Sequence, residues 1–100
     1  MPYYKISGRV IDHTTNSPIP HTNVFISNSS LGDISNHDGI FSISNIYTKN
    51  CSLIISYVGY NQKIIEVKFP NDDEKYYEIT LQPKSFIYKR DFNIWITKRI

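Results

Sequence analysis

Three histidines and one cysteine are the side chains of this sequence best suited to bind a transition metal. His13, His21 and His37 fall in turn-rich stretches, whereas Cys51 begins a stretch of alternating apolar residues. A structural zinc site needs three or four such ligands converging on one point. No two of these residues have the two- or four-residue spacing that places ligands side by side. The sequence therefore predicts no metal site and no cofactor.

Residues 33–39 have a partial similarity to a calcium-binding loop. An EF-hand loop needs oxygen ligands at its positions 1, 3 and 5 and a glycine at position 6. With Gly39 at position 6, position 1 falls on Ile34, which has no side-chain oxygen. We instead interpret His37, Asp38 and Gly39 as a tight hairpin turn, because an Asp-Gly pair tolerates the positive φ that such turns need.

Hydrolytic chemistry would require a nucleophile beside a base, and the sequence has no motif for this pair. It lacks the nucleophile elbow G-x-S-x-G, and its carboxylates cluster only in a predicted polar turn at residues 72–74. Cys51 has no histidine close in sequence to activate it. We therefore predict no catalytic residues. A small hydrolase is the least favoured class, and it would require the fold to bring a nucleophile and a base together.

Tyrosines are frequent, and exposed aromatic rings on a sheet could stack on sugars or bases. The candidates are Tyr57, Tyr60, Tyr76 and Tyr77. Aromatic residues in strands more often fill the core or form cross-strand pairs, and this is the interpretation that we favour. A module that binds a glycan or a peptide through exposed tyrosines is the alternative.

Charge and composition bound the class of protein. The net charge of +2 over 100 residues is too small to predict a nucleic-acid partner. A single cysteine excludes an internal disulfide. No run approaches the roughly 20 apolar residues of a membrane-spanning helix, and the first residues lack the pattern of a signal peptide. We therefore expect either a cytoplasmic protein or a fragment of a longer, exported one that meets the membrane only through its parent.

Short alternating stretches separated by turns run through the chain as far as Pro83. The lack of alanine and the abundance of isoleucine and aromatic residues favour strands over helices. The alternation predicts an all-β sandwich with seven strands, over residues 4–12, 22–27, 31–36, 40–44, 51–58, 62–69 and 76–81. Their inward faces predict a core that contains Val10, Val24, Ile26, Phe41, Leu53, Ile55, Val67, Ile79 and Leu81.

Glycines mark the places where this alternation is interrupted. We predict that Gly39 and Gly59 adopt backbone conformations that other residues avoid. Gly8, inside the first strand, indicates a bulge or a close approach of neighbouring backbone. The segment from residue 45 to residue 50 is predicted to be a polar loop.

The chain divides after Pro83. Residues 1–83 form the predicted sandwich, and residues 84–100 form a tail or a linker to a further domain. The tail contains apolar residues that favour packing, either against the sandwich or at a domain junction: Phe86, Ile87, Phe92, Ile94 and Trp95. Sheet-edge pairing is the contact that we expect first, since an extended segment can add a strand to an exposed edge.

The order of several short motifs is similar to that of the carboxypeptidase-regulatory-like domain. These motifs are Gly8 to Asp12, Pro18 to Pro20, Asn23 to Ile26, Leu31-Gly32, Asp38-Gly39-x-Phe41 and Ile55 to Tyr60. The resemblance extends from about residue 6 to residue 83. The positions that we take from it as structural motif residues are Gly8, Pro20, Gly39, Phe41, Gly59 and Tyr60.

This resemblance implies a seven-stranded, transthyretin-like (prealbumin-like) Greek-key β-sandwich without catalytic residues of its own. Such domains often stand at the periplasmic N-terminus of TonB-dependent outer-membrane receptors in Bacteroidetes-type bacteria. We therefore expect a non-catalytic accessory or interaction module of a bacterial cell-envelope protein. Its expected partner is another protein or an adjacent domain of the same polypeptide, with a glycan as the alternative.

Overall fold

The computed structural model describes residues 3–69 and 74–84, and within these residues the chain forms strands and no helix. The strands are β1 (Tyr4–Asp12), β2 (Asn23–Ile26), β3 (Gly32–Ile34), β4 (Ile40–Ile46), β5 (Asn50–Ser56), β6 (Lys63–Lys68) and β7 (Glu74–Leu81). The predicted tail from residue 85 onward and most of the predicted acidic turn lie outside the described residues. The described part also contains no helix with the length and hydrophobicity that a membrane span requires.

The seven strands form two sheets that pack face to face. The order is β4-β1-β7 in the three-stranded sheet and β3-β2-β5-β6 in the four-stranded sheet. Four of the five neighbouring strand pairs are antiparallel, while β1 and β7 pair in parallel. The prediction of an all-β, transthyretin-like Greek-key sandwich with seven strands is confirmed.

The core lies between the inward faces of the two sheets. All nine residues predicted to be in the core are buried, and the core also contains Tyr4, Ile6, Ile19, Ile43, Ile46 and Phe69. Tyr4 stacks on Phe69 with the ring centroids 4.5 Å apart. Burial of a large apolar side chain stabilises a fold by roughly 1.5–3 kcal/mol, so this cluster is the main source of stability.

Strand β4 continues beyond its predicted end, so the prediction of a polar loop from residue 45 is wrong at its start. Tyr4 pairs with Ile46, but Ile6 pairs with Ile43, which leaves one extra residue on β4. Asn45 accommodates this bulge with a φ of 62°, and asparagine tolerates such a left-handed conformation. The bulge turns Ile46 into the core.

The tight turn predicted at His37, Asp38 and Gly39 is confirmed, since the Asn36 N–H donates to the Ile40 carbonyl oxygen at 3.0 Å across it, but the turn does not join two paired strands. The Gly39 N–H donates to the Asn36 carbonyl oxygen at 2.8 Å. However, β3 pairs with β2 whereas β4 pairs with β1, so the turn carries the chain from one sheet to the other. The Asp-Gly signal determines a local reversal and not which strands pair across it.

On each side of the sandwich, a charged side chain of one sheet bonds to the edge strand of the other sheet. On one side, the Asp33 carboxylate of β3 accepts a hydrogen bond at 2.8 Å from the Ser42 N–H of β4, which links the two sheets. On the other side, Lys63 Nζ of β6 donates to the Thr80 carbonyl oxygen of β7 at 3.1 Å. Charged side chains at these positions occupy backbone groups that an edge strand leaves free.

Candidate interaction surface

Asp12 and Tyr60 meet at the end of the sandwich where β1 ends. Asp12 Oδ2 accepts a hydrogen bond from the Tyr60 hydroxyl at 2.5 Å. Asp12 Oδ1 accepts from the Thr14 hydroxyl at 2.6 Å, from the Thr14 N–H at 2.7 Å and from the Thr15 N–H at 3.2 Å. The hydrogen bonds from the Thr14 and Tyr60 hydroxyls lower the pKa of Asp12 to about 2. The bond to Asp12 in turn raises the pKa of Tyr60.

This cluster is suited to fastening loops and not to catalysis. A carboxylate with a pKa near 2 is a weak base, and a tyrosine with a raised pKa stays protonated. The contact joins the loop after β1 to the connection between β5 and β6, which are distant in sequence. Our sequence analysis identified Tyr60 as a motif residue but missed its partner. The signal was an aspartate at a strand end followed by Thr14 and Thr15, which favours an Asx turn.

Two glycines of the motif lie where another side chain would meet neighbouring backbone. Gly39 has a φ of 79°, and a Cβ there would lie 2.5 Å from the Val10 carbonyl oxygen. A Cβ at Gly8 would lie 2.9 Å from the ring of Phe41 and would also contact the Tyr77 carbonyl oxygen. The close approach predicted at Gly8 is therefore confirmed, and it makes room for the buried Phe41 ring.

The other motif residues shape loops. Gly59 has a φ of 89°, which confirms the prediction for its backbone, but a Cβ there would contact nothing within 4 Å. Pro20 is half-buried and follows Ile19, whose N–H donates to the Val10 carbonyl oxygen at 2.9 Å. These residues position the turns around the core.

The candidate metal ligands do not converge in the described part of the chain. His13, His21 and His37 are exposed, and residues 3–69 and 74–84 contain no group of three or more potential ligands that could hold a metal ion. His37 approaches Asp38 at 3.5 Å on the surface. Cys51 is half-buried against the core, and burial followed by the charge of Glu66 raises its pKa.

The outer face of the four-stranded sheet carries a band of apolar side chains, which we call the outer band. It consists of the exposed Phe25, Ile34 and Ile64 and the half-buried Ile54. Phe25 lies directly opposite Ile54, and Ile54 lies directly opposite Ile64, so the three form a row across β2, β5 and β6. Ile34 lies on the same face, next to this row, opposite Asn23. The exposed fraction is 39% for Phe25, 59% for Ile34 and 55% for Ile64.

Polar side chains border the outer band. An open cavity of about 570 Å³ lies at the β3 side of this face, and its lining includes Asn23, Phe25, Ser30, Ile34, Ser56 and Gln62. The amides and hydroxyls therefore surround apolar groups without covering them. An apolar centre with a polar rim is the usual composition of a surface that binds another protein.

The outer face of the three-stranded sheet carries more charged side chains. Lys5 lies opposite Glu74 and Arg9 lies opposite Glu78, so charges of opposite sign alternate across β1 and β7. Ile40 and Tyr76 are also exposed on this face, at 46% and 65%, but they do not share a row, since Ile40 is in register with Arg9 and Tyr76 with Ser7. Exposed apolar residues that are contiguous, and not scattered, mark interaction sites.

Our sequence analysis missed the outer band because it assigned each strand a single inward apolar face. The signal was present in runs of consecutive apolar residues, at residues 24–26, 53–55 and 64–65. The tyrosine candidates behave as the favoured interpretation predicts. Tyr57, Tyr60 and Tyr77 pack against the core, and Tyr76 alone of the four is largely exposed, at 65%.

Solved structures with this fold come from proteins with different roles. BcpA, the major pilin subunit of Bacillus cereus, is similar with a TM-score of 0.68 at 13% identity, over 83% of this chain and 31% of that chain. A type II cohesin–X–dockerin complex from Acetivibrio cellulolyticus is similar with a TM-score of 0.64 at 17% identity, over 78% and 56%. A 3-chlorocatechol 1,2-dioxygenase from Rhodococcus opacus 1CP is similar with a TM-score of 0.63 at 13% identity, over 83% and 60%.

These similarities establish the fold, since the identities are low and this chain spans less than two thirds of the length of each protein. Comparison with curated protein sequences gave no match. The profile of the CarboxypepD_reg-like domain family matches residues 6–89, which is most of the chain. The chain therefore belongs to the family of carboxypeptidase-regulatory-like domains.

Proposed function

We propose that this domain is a non-catalytic interaction module of a bacterial cell-envelope protein and that it binds its partner through the outer band. The partner is another protein or an adjacent domain of the same polypeptide. The parent is an exported protein, such as a TonB-dependent outer-membrane receptor with this domain as its N-terminal extension. The observation that carries the proposal is the apolar row across three strands, in which the half-buried Ile54 lies between the exposed Phe25 and Ile64.

Burial of the outer band in a complex would favour binding. Removal of apolar surface from water contributes about 25 cal/mol per Å², and the well-packed centre of an interface supplies most of the affinity. Phe25 is the natural anchor, because it stands at the middle of the band beside the open cavity. The polar rim would then orient the partner through hydrogen bonds from Asn23 and Gln62.

Two further observations support an interaction module in an envelope protein. The family resemblance implies envelope proteins, in which these domains accompany larger membrane or surface domains. In addition, BcpA is a pilin subunit and the cohesin–X–dockerin proteins form a complex, so the fold serves in proteins that assemble with others.

Site-specific photo-crosslinking in cells that make the protein tests this proposal. A photoreactive phenylalanine analogue replaces Phe25 in one variant and Tyr76 in the matched control. Both positions are exposed aromatic residues, but Tyr76 lies on the charged face of the other sheet. We expect a discrete crosslinked product from position 25, recovered in the envelope fraction, and none of comparable yield from position 76.

Equal crosslinking from both positions, or a product from position 25 that is found only outside the envelope fraction, would contradict the proposal. A glycan array distinguishes the alternative function. If the domain bound a sugar, and Phe25→Ser abolished that binding while no protein crosslink formed at position 25, the glycan-binding class would replace ours.

A further inference from the structure

The edge strands of the two sheets differ in whether their outward backbone groups are occupied. On β3, the Ile34 N–H donates to the Asp33 carboxylate at 2.8 Å. On β4, the Ile40 N–H donates to the Asn36 side-chain oxygen at 3.0 Å, and the Ser42 N–H donates to the Asp33 carboxylate at 2.8 Å. These side chains occupy backbone groups that an edge strand would otherwise offer to another chain.

The edge of β7 is occupied toward its end. The Thr80 carbonyl oxygen accepts from Lys63 Nζ at 3.1 Å. One residue beyond the strand, the Gln82 carbonyl oxygen accepts from the Asn61 N–H at 2.9 Å. The loop before β6 and the first side chain of β6 therefore cover the end of β7, so this edge is closed there to an added strand.

Strand β6 is the remaining edge, and three of its residues have backbone groups that take part in no hydrogen bond among the described residues. The Phe69 N–H donates to the Lys49 carbonyl oxygen at 2.8 Å, in the register that continues the ladder between β5 and β6. Residues that exchange hydrogen bonds across an antiparallel ladder alternate with residues that do not. Ile64, Glu66 and Lys68 therefore direct their N–H and C=O groups away from β5.

The side chains of β6 determine which strand would fit beside it. Ile64, Glu66 and Lys68 are exposed on the outer face, where the Ser52 hydroxyl donates to the Glu66 carboxylate at 3.0 Å. On the inner face, Ile65 packs against the core but is only half-buried. Apolar pairs and pairs of opposite charge stabilise neighbouring strands, whereas like charges destabilise them. A matching strand therefore has an apolar residue opposite Ile64, a basic residue opposite Glu66 and an acidic residue opposite Lys68.

We propose that an extended segment of the partner protein adds to β6 as an antiparallel fifth strand of the four-stranded sheet. The three ladders within this sheet are antiparallel, and the added ladder continues that pattern. From its N-terminus, the segment has an acidic, an apolar, a basic and two further apolar residues, which run from opposite Lys68 to opposite Ile64. The apolar residues that face inward cover Ile65. In such a complex, main-chain hydrogen bonds supply affinity and alternate side chains supply specificity.

This inference rests on the proposed function, because Ile64 belongs both to the edge of β6 and to the outer band. It adds a contact that the outer band does not require, namely a ladder of main-chain hydrogen bonds along β6. A partner that contacts only the side chains of the outer face would bind without this ladder. A substitution that blocks the edge and leaves the outer band unchanged therefore separates the two.

Photo-crosslinking from position 25 in cells, repeated in two proline variants, tests the inference. Glu66→Pro removes an outward N–H and places a ring where the added strand would lie, while the ladder between β5 and β6 keeps its hydrogen bonds. Glu78→Pro is the matched control. Glu78 is also an exposed glutamate of an edge strand, and its backbone groups point away from β1 as those of Thr80 do. We expect the crosslinked product to fall at least roughly tenfold in Glu66→Pro and to be unchanged in Glu78→Pro.

A second readout does not depend on a proline variant. The photoreactive analogue at position 68, beside the open edge, should give the same product as position 25, whereas at Lys5, on the other sheet, it should give none of comparable yield. Mass spectrometry of the product from position 68 should identify a segment with the pattern of acidic, basic and apolar residues described above. The amides of Leu53 and Ile55 report by hydrogen exchange that each variant is folded.

The failure of this inference differs from the failure of the proposed function. A product from position 25 that persists in Glu66→Pro, or that has no counterpart at position 68, would overturn the added strand and leave the outer band as the binding surface. The absence of any product from position 25 in the unaltered chain would contradict the proposed function, and the added strand with it. A product of twice the mass of the chain, or a crosslink within one chain, would also overturn the inference, because the edge would then hold a second copy or a segment of the same chain.

Discussion

Asp12 joins the loop after β1 to the connection between β5 and β6 through hydrogen bonds that its ionised carboxylate accepts. Its pKa is about 2 in the folded chain, below the ordinary value of 3.8. Because the folded pKa is depressed, this contribution to stability is fully present above pH 3.8 and is lost as the pH falls toward about 2. We expect the urea midpoint of unfolding to fall across this window.

Asp12→Asn is the control for this prediction, since asparagine keeps the shape of the side chain and does not titrate. Its urea midpoint should be lower at neutral pH and should change less between pH 3.8 and pH 2. Tyr60→Phe should raise the pKa of Asp12 toward its ordinary value by removing one donor. If the urea midpoint of Asp12→Asn changed with pH in the same way as that of the unaltered chain, other carboxyl groups would determine the acid sensitivity.

Gly39 and Gly59 share a positive φ but differ in their surroundings, and this difference gives a second prediction. A side chain at either position carries the backbone strain of about 1 kcal/mol that disfavours the left-handed region. At Gly39 the Cβ would also meet the Val10 carbonyl oxygen, whereas at Gly59 it would contact nothing. Gly39→Ala should therefore lower the free energy of unfolding more than Gly59→Ala does, as measured by urea denaturation, and Gly39→Val should lower it further. Equal losses for the two alanine variants would contradict this account.

Strand β5 allows a buried and an outward-facing position to be compared within one element, because neighbouring residues of a strand face opposite sides of the sheet. Leu53 and Ile55 are fully buried, whereas Ile54 between them lies in the outer band. Leu53→Ala or Ile55→Ala should reduce the free energy of unfolding by about 2–5 kcal/mol through lost burial and the cavity left behind. Ile54→Ala should cost clearly less in the same urea titration. A similar loss at all three positions would mean that the outer face is covered in the free domain.

The strands themselves were predictable because half-burial produces a period of two in the sequence. All seven strands and the nine named core residues follow from that period. What it does not contain is the pairing partner of each strand. The turn at Asp38 and Gly39 therefore suggested a hairpin where the chain changes sheets, and the bulge at Asn45 hid the last residues of β4. The parallel pairing of β1 with β7 joins the first and the last of the described strands, and no local sequence pattern indicates it.

At the scale of the whole domain, one side chain holds the two sheets together at a shared edge. The Asp33 carboxylate accepts from the Ser42 N–H, a backbone group on the free edge of β4. We expect Asp33→Ala to accelerate hydrogen exchange of the Ser42 amide while the amides of Leu53 and Ile55 stay protected. Asp38→Ala is the matched control, since the Asp38 carboxylate lies on the surface and, within the described residues, approaches the exposed His37 at 3.5 Å. Unchanged exchange at Ser42 would show that the link contributes nothing to closing this edge.

The candidate surface was less predictable than the fold. The alternation of apolar and polar residues in a strand reports its buried face, so an apolar residue on the outer face gives no such signal. Such a residue becomes part of a band only through its position beside residues of other strands. Phe25, Ile54 and Ile64 are far apart in sequence and become neighbours through two separate ladders. The link between Asp12 and Tyr60 escaped the sequence analysis for the same reason, since it spans two loops from different sheets.

The parallel pairing of β1 with β7 has a mechanical consequence. The two strands are adjacent and run in the same direction over eight residue pairs, from Lys5–Glu74 to Asp12–Leu81. A force that pulls the chain ahead of β1 against the chain behind β7 is therefore directed along this ladder and slides one strand past the other. The hydrogen bonds of a parallel ladder are evenly spaced, so they share the tension and must break together. The β1–β7 ladder therefore makes the domain resistant to unfolding by a force that acts between the chain before β1 and the chain after β7.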